Sequence, residues 1–453
     1  MLENLIMMEE GKTLEFKENT QSLNKIVQTI IAFANTAGGT IIIGIKDKTK
    51  KIVGIHKPLR DEEKISSAVA DSIAPLFLPN IEIHNIRNKE LLVIKVPHAV
   101  GPFYLKKYGE RDGTYIRLGS TNRKADIDTL KTLKRLSENI TFDELPLIKA
   151  KKNDIDWALL KQIFKRKRKK IDMNKAENLG IIKEHMGKKY PSNGGILLFG
   201  KNRMKYFPDI NIRCVRFSGN DRDKVLDHYD IDIALPLAIE EAINFVEKVS
   251  FKFSKFGKIY REDILQFPSV AIRESIINAV VHTDYSIKGT SIQIAIFDNR
   301  IEITNPGGLP FGLTLERAIT GVSKIRNRVL ARVFRELSII EQWGSGMRRI
   351  IKTYQDLNIV PPIFEEIDTF FRIILFSIKN KKRTLEKWEI KLLDFLKKHN
   401  EITTIQAAEL WKISDRAART KLKKMIESKL IQRIGTSIKD PKAIFKLLID
   451  DRI

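Results

Sequence analysis

Cysteine is almost missing. The chain has 453 residues and a single cysteine, Cys214. Neither a disulfide framework nor a cysteine-ligated zinc site can be built from one thiol, which fits a reducing compartment. Long apolar runs are missing too. No window approaches the roughly 18 apolar residues of a membrane-spanning helix. The opening MLENLIMMEEGK has no basic stretch leading into an apolar one. Together these absences predict a soluble, cytoplasmic protein with no membrane partner. The pattern G-x-x-x-x-G-K-[ST] does not occur, which argues against a P-loop nucleotide site. No repeat recurs at solenoid periods. Acid is also in short supply. The 56 Asp and Glu stand against 81 Lys and Arg, a net charge of +25. Such an excess favours a polyanionic partner, nucleic acid first and an anionic membrane surface second. The bland alternative is that the extra lysines only solvate the surface. The clustering of charge at KRKRKK (165–170) and KNKKR (379–383) favours the polyanion.

What is present is enough for about three domains, and an apolar fraction of 43% lets each build a core. Residues 1–140 alternate strands and helices. LEFKE (14–18) alternates apolar and charged residues and predicts a half-buried strand. Leu23, Ile26, Val27, Ile30, Ile31 and Ala34 follow helical spacing, with Gly38 at a natural C-terminal position. TIIIGI predicts a buried strand, IEIHNI and LLVIKV a hairpin, GTYIRLGST a strand and turn, and Asp126 the start of a helix. Residues 141–255 predict a connector with its own structure, including a GGILLFG strand (194–200). Residues 256–378 predict a long helix, a hairpin and glycine-rich loops. After the charged linker, residues 384–453 read as three helices and a hairpin.

Glu10 and Glu15 flank the first strand, Lys17 shares a strand face with Glu15, and Asp47 lies just beyond the next strand. Carboxylates near a lysine can hold a divalent metal and activate water for phosphodiester cleavage. E-x-K on a strand is also a common surface ion pair. The pieces EGKTLEFKE, AFANTAGGTIIIGIKD, IVGI and TYIRLGSTNRKAD, in that order, resemble the Schlafen-type AlbA domain over about residues 8 to 125. The resemblance implies a mixed αβ fold that binds nucleic acid. It also carries the acidic triad of ribonuclease-active Schlafen proteins onto Glu10, Glu15 and Asp47. The zinc ligands of those proteins have no counterpart in this chain. Arg117, Thr121, Asn122, Arg123 and Lys124 cluster at one turn and are the candidates for phosphate contacts.

IRESIINAVVHTDYS (272–286) puts Glu274, Asn278 and His282 on one helix face at i, i+4 and i+8. Such a face could place an amide oxygen on Mg²⁺ and a carboxylate on an attacking water; it could also be a solvated face. A hairpin ending in Asn305–Pro306–Gly307–Gly308 follows, then EQWGSGMRRI (341–350), a glycine pair opening a helix. Glycines there let backbone approach phosphates, and a helix N-terminus supplies free N–H groups. With RNRVLARVFRELSIIEQWGSGMRRI, these segments resemble a divergent histidine-kinase-like (GHKL) ATP-binding domain. The resemblance makes Asn278 the Mg²⁺ ligand and Glu274 the candidate general base of a slow ATPase. It makes Gly307 and Gly308 the first glycine box, and Gly344 and Gly346 the second. Asn305 stands near the place of the fold's adenine-reading Asp, His282 belongs to the same site, and Thr283 replaces the usual Arg of H-R-D-Y. ATP and Mg²⁺ are the cofactors implied. Proteins of this kind are sometimes labelled RecG-like helicases, but no motor motifs occur here, so unwinding is rejected.

The last seventy residues read as a winged helix–turn–helix. Ser414 or Asp415 caps the third helix, Ala418, Leu422, Met425 and Ile426 form its core face, and Arg416, Arg419, Thr420 and Lys423 lie off that face. A winged helix can also bind protein. The expectation is an α/β and α+β multidomain protein: a Schlafen AlbA-type domain, a GHKL-like α/β sandwich and a winged helix. The function expected is ATP-responsive nucleic-acid binding, DNA before RNA, in transcriptional control or defence. A metal-dependent nuclease and a nucleotide-gated protein scaffold are the alternatives, and homo-oligomerisation is open.

Overall fold

Apolar spacing in the first hundred residues builds a sheet that is covered on both faces. β1 (Leu14–Lys17) pairs in parallel with β2 (Gly39–Ile43), and the helix α1 (Leu23–Asn35) makes the crossover between them. β3 (Asn80–Ile86) and β4 (Lys89–Val96) form the expected hairpin and complete the order β1-β2-β4-β3. Ile26, Ile30 and Phe33 of α1 pack on Ile41, Ile43, Leu92 and Ile94 from one side. Leu14, Phe16, Ile42 and Val93 face Ile6 on the other. Gly38 ends the helix at φ +76°, and its N–H donates to the Phe33 carbonyl at 2.8 Å. A Cβ there would meet backbone atoms of Val96 and His98 at 2.8 Å, so the position suits glycine on two counts. The hairpin β5 (Tyr115–Leu118) and β6 (Thr121–Lys124) follows, and Asp126 caps α2 (Ile127–Ser137) by accepting from the Thr129 N–H.

A computed structural model describes residues 2–47, 49–256, 261–340, 346–380, 386–427, 430–435 and 443–447. It resolves into two compact units, residues 1–356 with 362–378, and residues 357–361 with 379–453. The protein is thus a mixed α/β, multidomain chain with several sheets.

The stretch GGILLFG, expected as a strand, is instead the helix α3 (Asn193–Phe199). A short, continuously apolar run does not by its period distinguish a buried strand from a buried helix. The deciding residue is Ser192, whose hydroxyl accepts the Gly195 N–H and caps the helix. All seven helical residues are buried.

The second sheet of the first unit has six strands. β7 (Ile212–Phe217) and β8 (Val225–Ile231) precede the helices α4 (Leu235–Val249) and α5 (Ser269–His282). The hairpin β9 (Ile292–Ile296) and β10 (Arg300–Pro306) comes next, then helices α6 (Arg328–Glu336) and α7 (Gly346–Asp356), and finally β11 (Ile363–Ile367) and β12 (Phe370–Phe376). The order is β8-β7-β9-β10-β12-β11, with β7 and β9 parallel and the other neighbours antiparallel. Strands on both sides of residue 255 therefore share one sheet. Helix α5 packs against α4, α7 and β10, which leaves only Arg273, Asn278 and its two ends less than fully buried.

Among its described residues the second unit holds three helices, α8 (Lys387–His399), α9 (Thr404–Trp411) and α10 (Asp415–Glu427). Three short strands accompany them, β13 (Ile402–Thr403), β14 (Ile431–Ile434) and β15 (Ile444–Leu447), in the order β13-β15-β14. Its core joins Leu392, Leu396, Ala407, Leu422, Met425 and Phe445. Trp388 and Trp411 meet edge to face, and Lys421 lies over both rings.

Candidate functional site

The polar face of α5 is partly covered. Glu274 is buried, and its Oε1 accepts from Nη1 of Arg349 at 2.9 Å and Nη1 of Arg273 at 3.0 Å. Gly346, the first residue of α7, is pressed onto the same face. A Cβ on it would lie 2.9 Å from Asn278 Nδ2 and 3.1 Å from Glu274 Oε2. Asn278 and His282 line a cleft together with Asn305, Gly307, Gly308 and Gly346. Leu309, Leu313, Val322, Met347, Phe371 and Ile373 add apolar walls, and Ser323 and Lys324 add polar ones. The cleft encloses about 660 Å³, open solvent included. Glu274 borders an adjoining hollow that shares Asn278, His282 and Gly346. Six residues expected at one site from three separate segments thus meet. Gly344, the seventh, lies outside the described residues.

Two residues that the sequence reading passed over shape this cleft. Arg326 is half-buried behind the 307–308 turn. Its Nη1 donates to the His282 carbonyl at 2.8 Å and its Nη2 to the Gly308 carbonyl at 2.7 Å. Gly307 sits at φ +88°, and a side chain there would collide with the Arg326 guanidinium. Burial, with Arg326 adding its charge, pushes His282 down to about 4, so its imidazole is neutral. Lys324 is the other. Its Nζ donates to the Phe311 carbonyl at 2.5 Å, and burial pulls its pKa below the ordinary lysine value. A basic residue following Ser323 in the GVSKIRNR stretch was the available signal. Arg348, two residues into α7, is exposed and packs against Gly321. Asn305 is buried, and its amide donates to the Pro306 carbonyl at 3.2 Å.

Asn278 offers a neutral amide oxygen. Among the described residues, no group of three or more His, Cys, Asp or Glu could hold a metal ion. A divalent ion in this cleft would need most of its oxygens from phosphates and water, as Mg²⁺ commonly does in nucleotide sites. The donor set fits Mg²⁺ arriving with a nucleotide and does not fit a resident ion.

The N-terminal carboxylates are differently placed. Glu15 is not at the surface. It is buried, with Oε2 at 2.6 Å from Arg117 Nη2, and it also meets the Lys17 ammonium. Glu10 Oε1 accepts the Phe16 N–H at 2.7 Å. Burial raises the Glu10 pKa, the Phe16 N–H opposes this, and the charges of Glu15 and Asp47 raise it further. Asp47 is exposed and lies 3.7 Å from Lys50 Nζ. The three carboxylates are near enough to feel one another, but Glu15 already has two cations.

The turn expected to hold phosphates is divided. Arg117 is buried: its Nε donates to the Gly11 carbonyl, its Nη1 to Asn122 Oδ1, and its guanidinium lies over the Phe33 ring. Asn122 in turn donates to Thr29 Oγ1 at 2.8 Å. These two fasten β5 and β6 to α1. Thr121, Arg123 and Lys124 are exposed. In the second unit, Arg416, Arg419, Thr420 and Lys423 are all exposed on α10, opposite the buried Ala418, Leu422 and Met425. No helix among the described residues is long and apolar enough to cross a membrane.

Residues 10–126 match the family described as "Schlafen, AlbA_2". Residues 289–375 match HATPase_c_4, described as "Putative ATP-dependent DNA helicase recG C-terminal". UU034 of Ureaplasma parvum serovar 3, called an uncharacterized ATP-binding protein, is 29% identical over 213 residues, 43% of this chain. The matched part spans 58% of that relative's length, short of two thirds. Among solved structures, the DIP2311 protein of Corynebacterium diphtheriae aligns with 100% of this chain and 96% of its own, at 19% identity and a TM-score of 0.43. The N-terminal domain of a RecG-related protein from Nitrosomonas europaea aligns with 28% of this chain and 91% of its own, at 26% identity and a TM-score of 0.23. At the family level, then, the chain carries a Schlafen AlbA_2 match near its N-terminus and a RecG-like HATPase_c fragment farther on.

Proposed function

We infer that this is a nucleotide-binding regulatory protein, a reading that the family matches support. We propose the finer reading that it is an ATP-responsive nucleic-acid-binding regulator, with DNA the first partner, acting in transcriptional control or defence. The observation that carries it is the meeting of Asn278, His282, Asn305, Gly307, Gly308 and Gly346 at one cleft beside the first turn of α7. In this reading Asn278 ligates the Mg²⁺ that accompanies ATP. The N–H groups at the start of α7 face phosphate oxygens, and Glu274, oriented by Arg273 and Arg349, serves slow hydrolysis by orienting water. The second unit acts as a winged helix whose α10 enters a DNA groove through Arg416, Arg419, Thr420 and Lys423. Arg123 and Lys124, with Thr121, add phosphate contacts from the N-terminal domain. The net charge of +25 supports a polyanionic partner. Calorimetric titration of Mg-ATP into wild type and Asn278→Ala tests the cleft, with circular dichroism to confirm folding. Binding by wild type and none by the variant is expected; equal affinity would remove Asn278 from the site. Gel shifts with duplex DNA and RNA, with and without Mg-ATP, test the partner. No binding to either at low salt would favour a protein-binding scaffold.

A further inference from the structure

Lys324 stands where the cleft meets the N-terminal domain. It lines the cleft, yet no carboxylate among the described residues forms an ion pair with it. Its ammonium has a carbonyl, that of Phe311, and an imidazole, His98, whose Nε2 is 3.5 Å away. His98 follows β4 in the N-terminal domain. Its Nδ1 is 3.0 Å from the Ala34 carbonyl. A carbonyl can only accept, so Nδ1 carries the proton and Nε2 offers a lone pair to the ammonium. Burial first, and then Lys324, hold His98 down at about 4, consistent with that neutral tautomer.

The neighbouring backbone is stitched across the same boundary. Gly312, at φ +84°, donates its N–H to the Thr36 carbonyl at 2.6 Å. Glu366 accepts the Leu309 N–H at 2.7 Å and pairs with Lys12 of the N-terminal domain at 2.7 Å. Thr36 Oγ1 accepts the Arg117 N–H at 2.8 Å, and Arg117 lies on the strand leading to Thr121, Arg123 and Lys124. The 307–313 loop therefore lines the cleft through Gly307, Gly308, Leu309, Pro310 and Leu313, and touches the N-terminal domain through Gly312.

A half-buried ammonium with only a carbonyl and a neutral imidazole is poorly compensated. A phosphate oxygen would be a stronger partner, because both groups are then ionised. A phosphate oxygen in the cleft, the strongest of the three acceptors, would pull Nζ toward itself and lengthen the weaker contacts to Phe311 and His98, the second already 3.5 Å long.

We propose that Lys324 is the phosphate-sensing cation of the cleft. On this proposal its turn from Phe311 and His98 toward a nucleotide polyphosphate loosens the hold of residues 307–313 on the N-terminal domain. This rests on the nucleotide reading of the cleft. The effector is a nucleoside polyphosphate, and the responding part is the surface that carries Thr121, Arg123 and Lys124.

Two measurements on the full chain test it. Calorimetry compares Mg-ATP and adenosine binding to wild type, Lys324→Met and Lys324→Arg. The methionine variant should bind Mg-ATP about tenfold or more weakly, as expected for one lost charge-assisted contact. Adenosine affinity should not change, and arginine should restore part of the loss. Hydrogen exchange then follows the Gly312 amide of wild type, which needs no variant to fold. Its protection should fall when Mg-ATP saturates the cleft and stay unchanged with adenosine. Wild-type binding of Mg-ATP together with undiminished affinity in Lys324→Met overturns the sensing role and leaves the cleft intact. Mg-ATP binding with no change at Gly312 overturns the coupling. If wild type binds no Mg-ATP, the parent reading fails and this one with it.

Discussion

Glu15 and Arg117 form a buried ion pair, 2.6 Å from Oε2 to Nη2, between the first strand of the protein and a strand one hundred residues later. Removing one member leaves an uncompensated charge in the interior, which costs about 3–5 kcal/mol. Glu15→Gln is therefore expected to destabilise the first unit by that order, read from urea unfolding. A loss below about 1 kcal/mol would mean that the pair is not holding β5 to β1. The same fact governs any nuclease assay. Loss of cleavage in Glu15→Gln could report unfolding, so the informative variants are Glu10→Gln and Asp47→Asn. The regulator reading expects no general cleavage of tRNA with Mg²⁺ or Mn²⁺. Cleavage that Asp47→Asn abolishes in a folded sample would replace it with a nuclease.

Gly346 has no room for a side chain. The Cβ position alone falls 2.9 Å from the Asn278 amide, and the branches of valine would fall closer. Gly346→Val is expected to push α7 away from α5 and abolish Mg-ATP binding in calorimetry. Wild-type affinity in a folded Gly346→Val sample would mean that phosphates do not approach α7.

On α10, Arg416 and Arg419 are exposed and point away from the core residues Ala418 and Leu422. Reversing both charges should weaken duplex binding and flatten its dependence on salt. Each lost phosphate contact lowers the slope of log affinity against log salt by roughly one. An unchanged slope would take this helix off the DNA contact surface.

Acid should destabilise the first unit through two histidines. His98 and His282 are both held at about 4 by burial, against an ordinary value of 6.5. Between those values the unfolded chain binds more protons than the folded one, so stability rises with pH across that window. The full contribution is present above the unfolded value and is lost as pH falls toward the folded one. Melting temperature should drop between about pH 7 and pH 5, and His282→Asn should make the drop shallower. A melting temperature that rises with acid would contradict the burial of both rings.

Local patterns carried far in this chain. The spacing of Ile26, Ile30 and Ile31, the Gly38 stop, the β9–β10 hairpin and the Asp126 cap each follow from a few neighbouring residues, and each is found as expected. The face formed by Glu274, Asn278 and His282 was legible because helical spacing is regular. What it faces was not, since Gly346 comes from far along the chain. Arg117 illustrates the opposite failure. Its neighbours Thr121, Arg123 and Lys124 made it look like a surface cation, but strand alternation turned it inward onto Glu15, and only the three-dimensional pairing decides that. The helix at 193–199 was missed because a continuous apolar run has no period to read. Lys324 and His98 were missed for a related reason: a single lysine and a single histidine, separated by 226 in sequence, carry no pattern until the chain between them is folded.

The six-stranded sheet has one more consequence, for anyone who would cut the protein down. Ile212 pairs with Ile292, while Arg300 pairs with Phe376, so the sheet closes only when the chain has been made through its last strand. During synthesis β7 can pair with β8 and α4 at once, but its other edge must wait for β9, a non-local pairing of the kind that folds slowly and exposes a strand edge to aggregation. A fragment trimmed to residues 289–375, the span matched by sequence, would omit β7, β8, α4 and the whole of α5. It would carry the glycines of the cleft without Asn278 and with one sheet edge stripped bare, so it should precipitate when expressed alone.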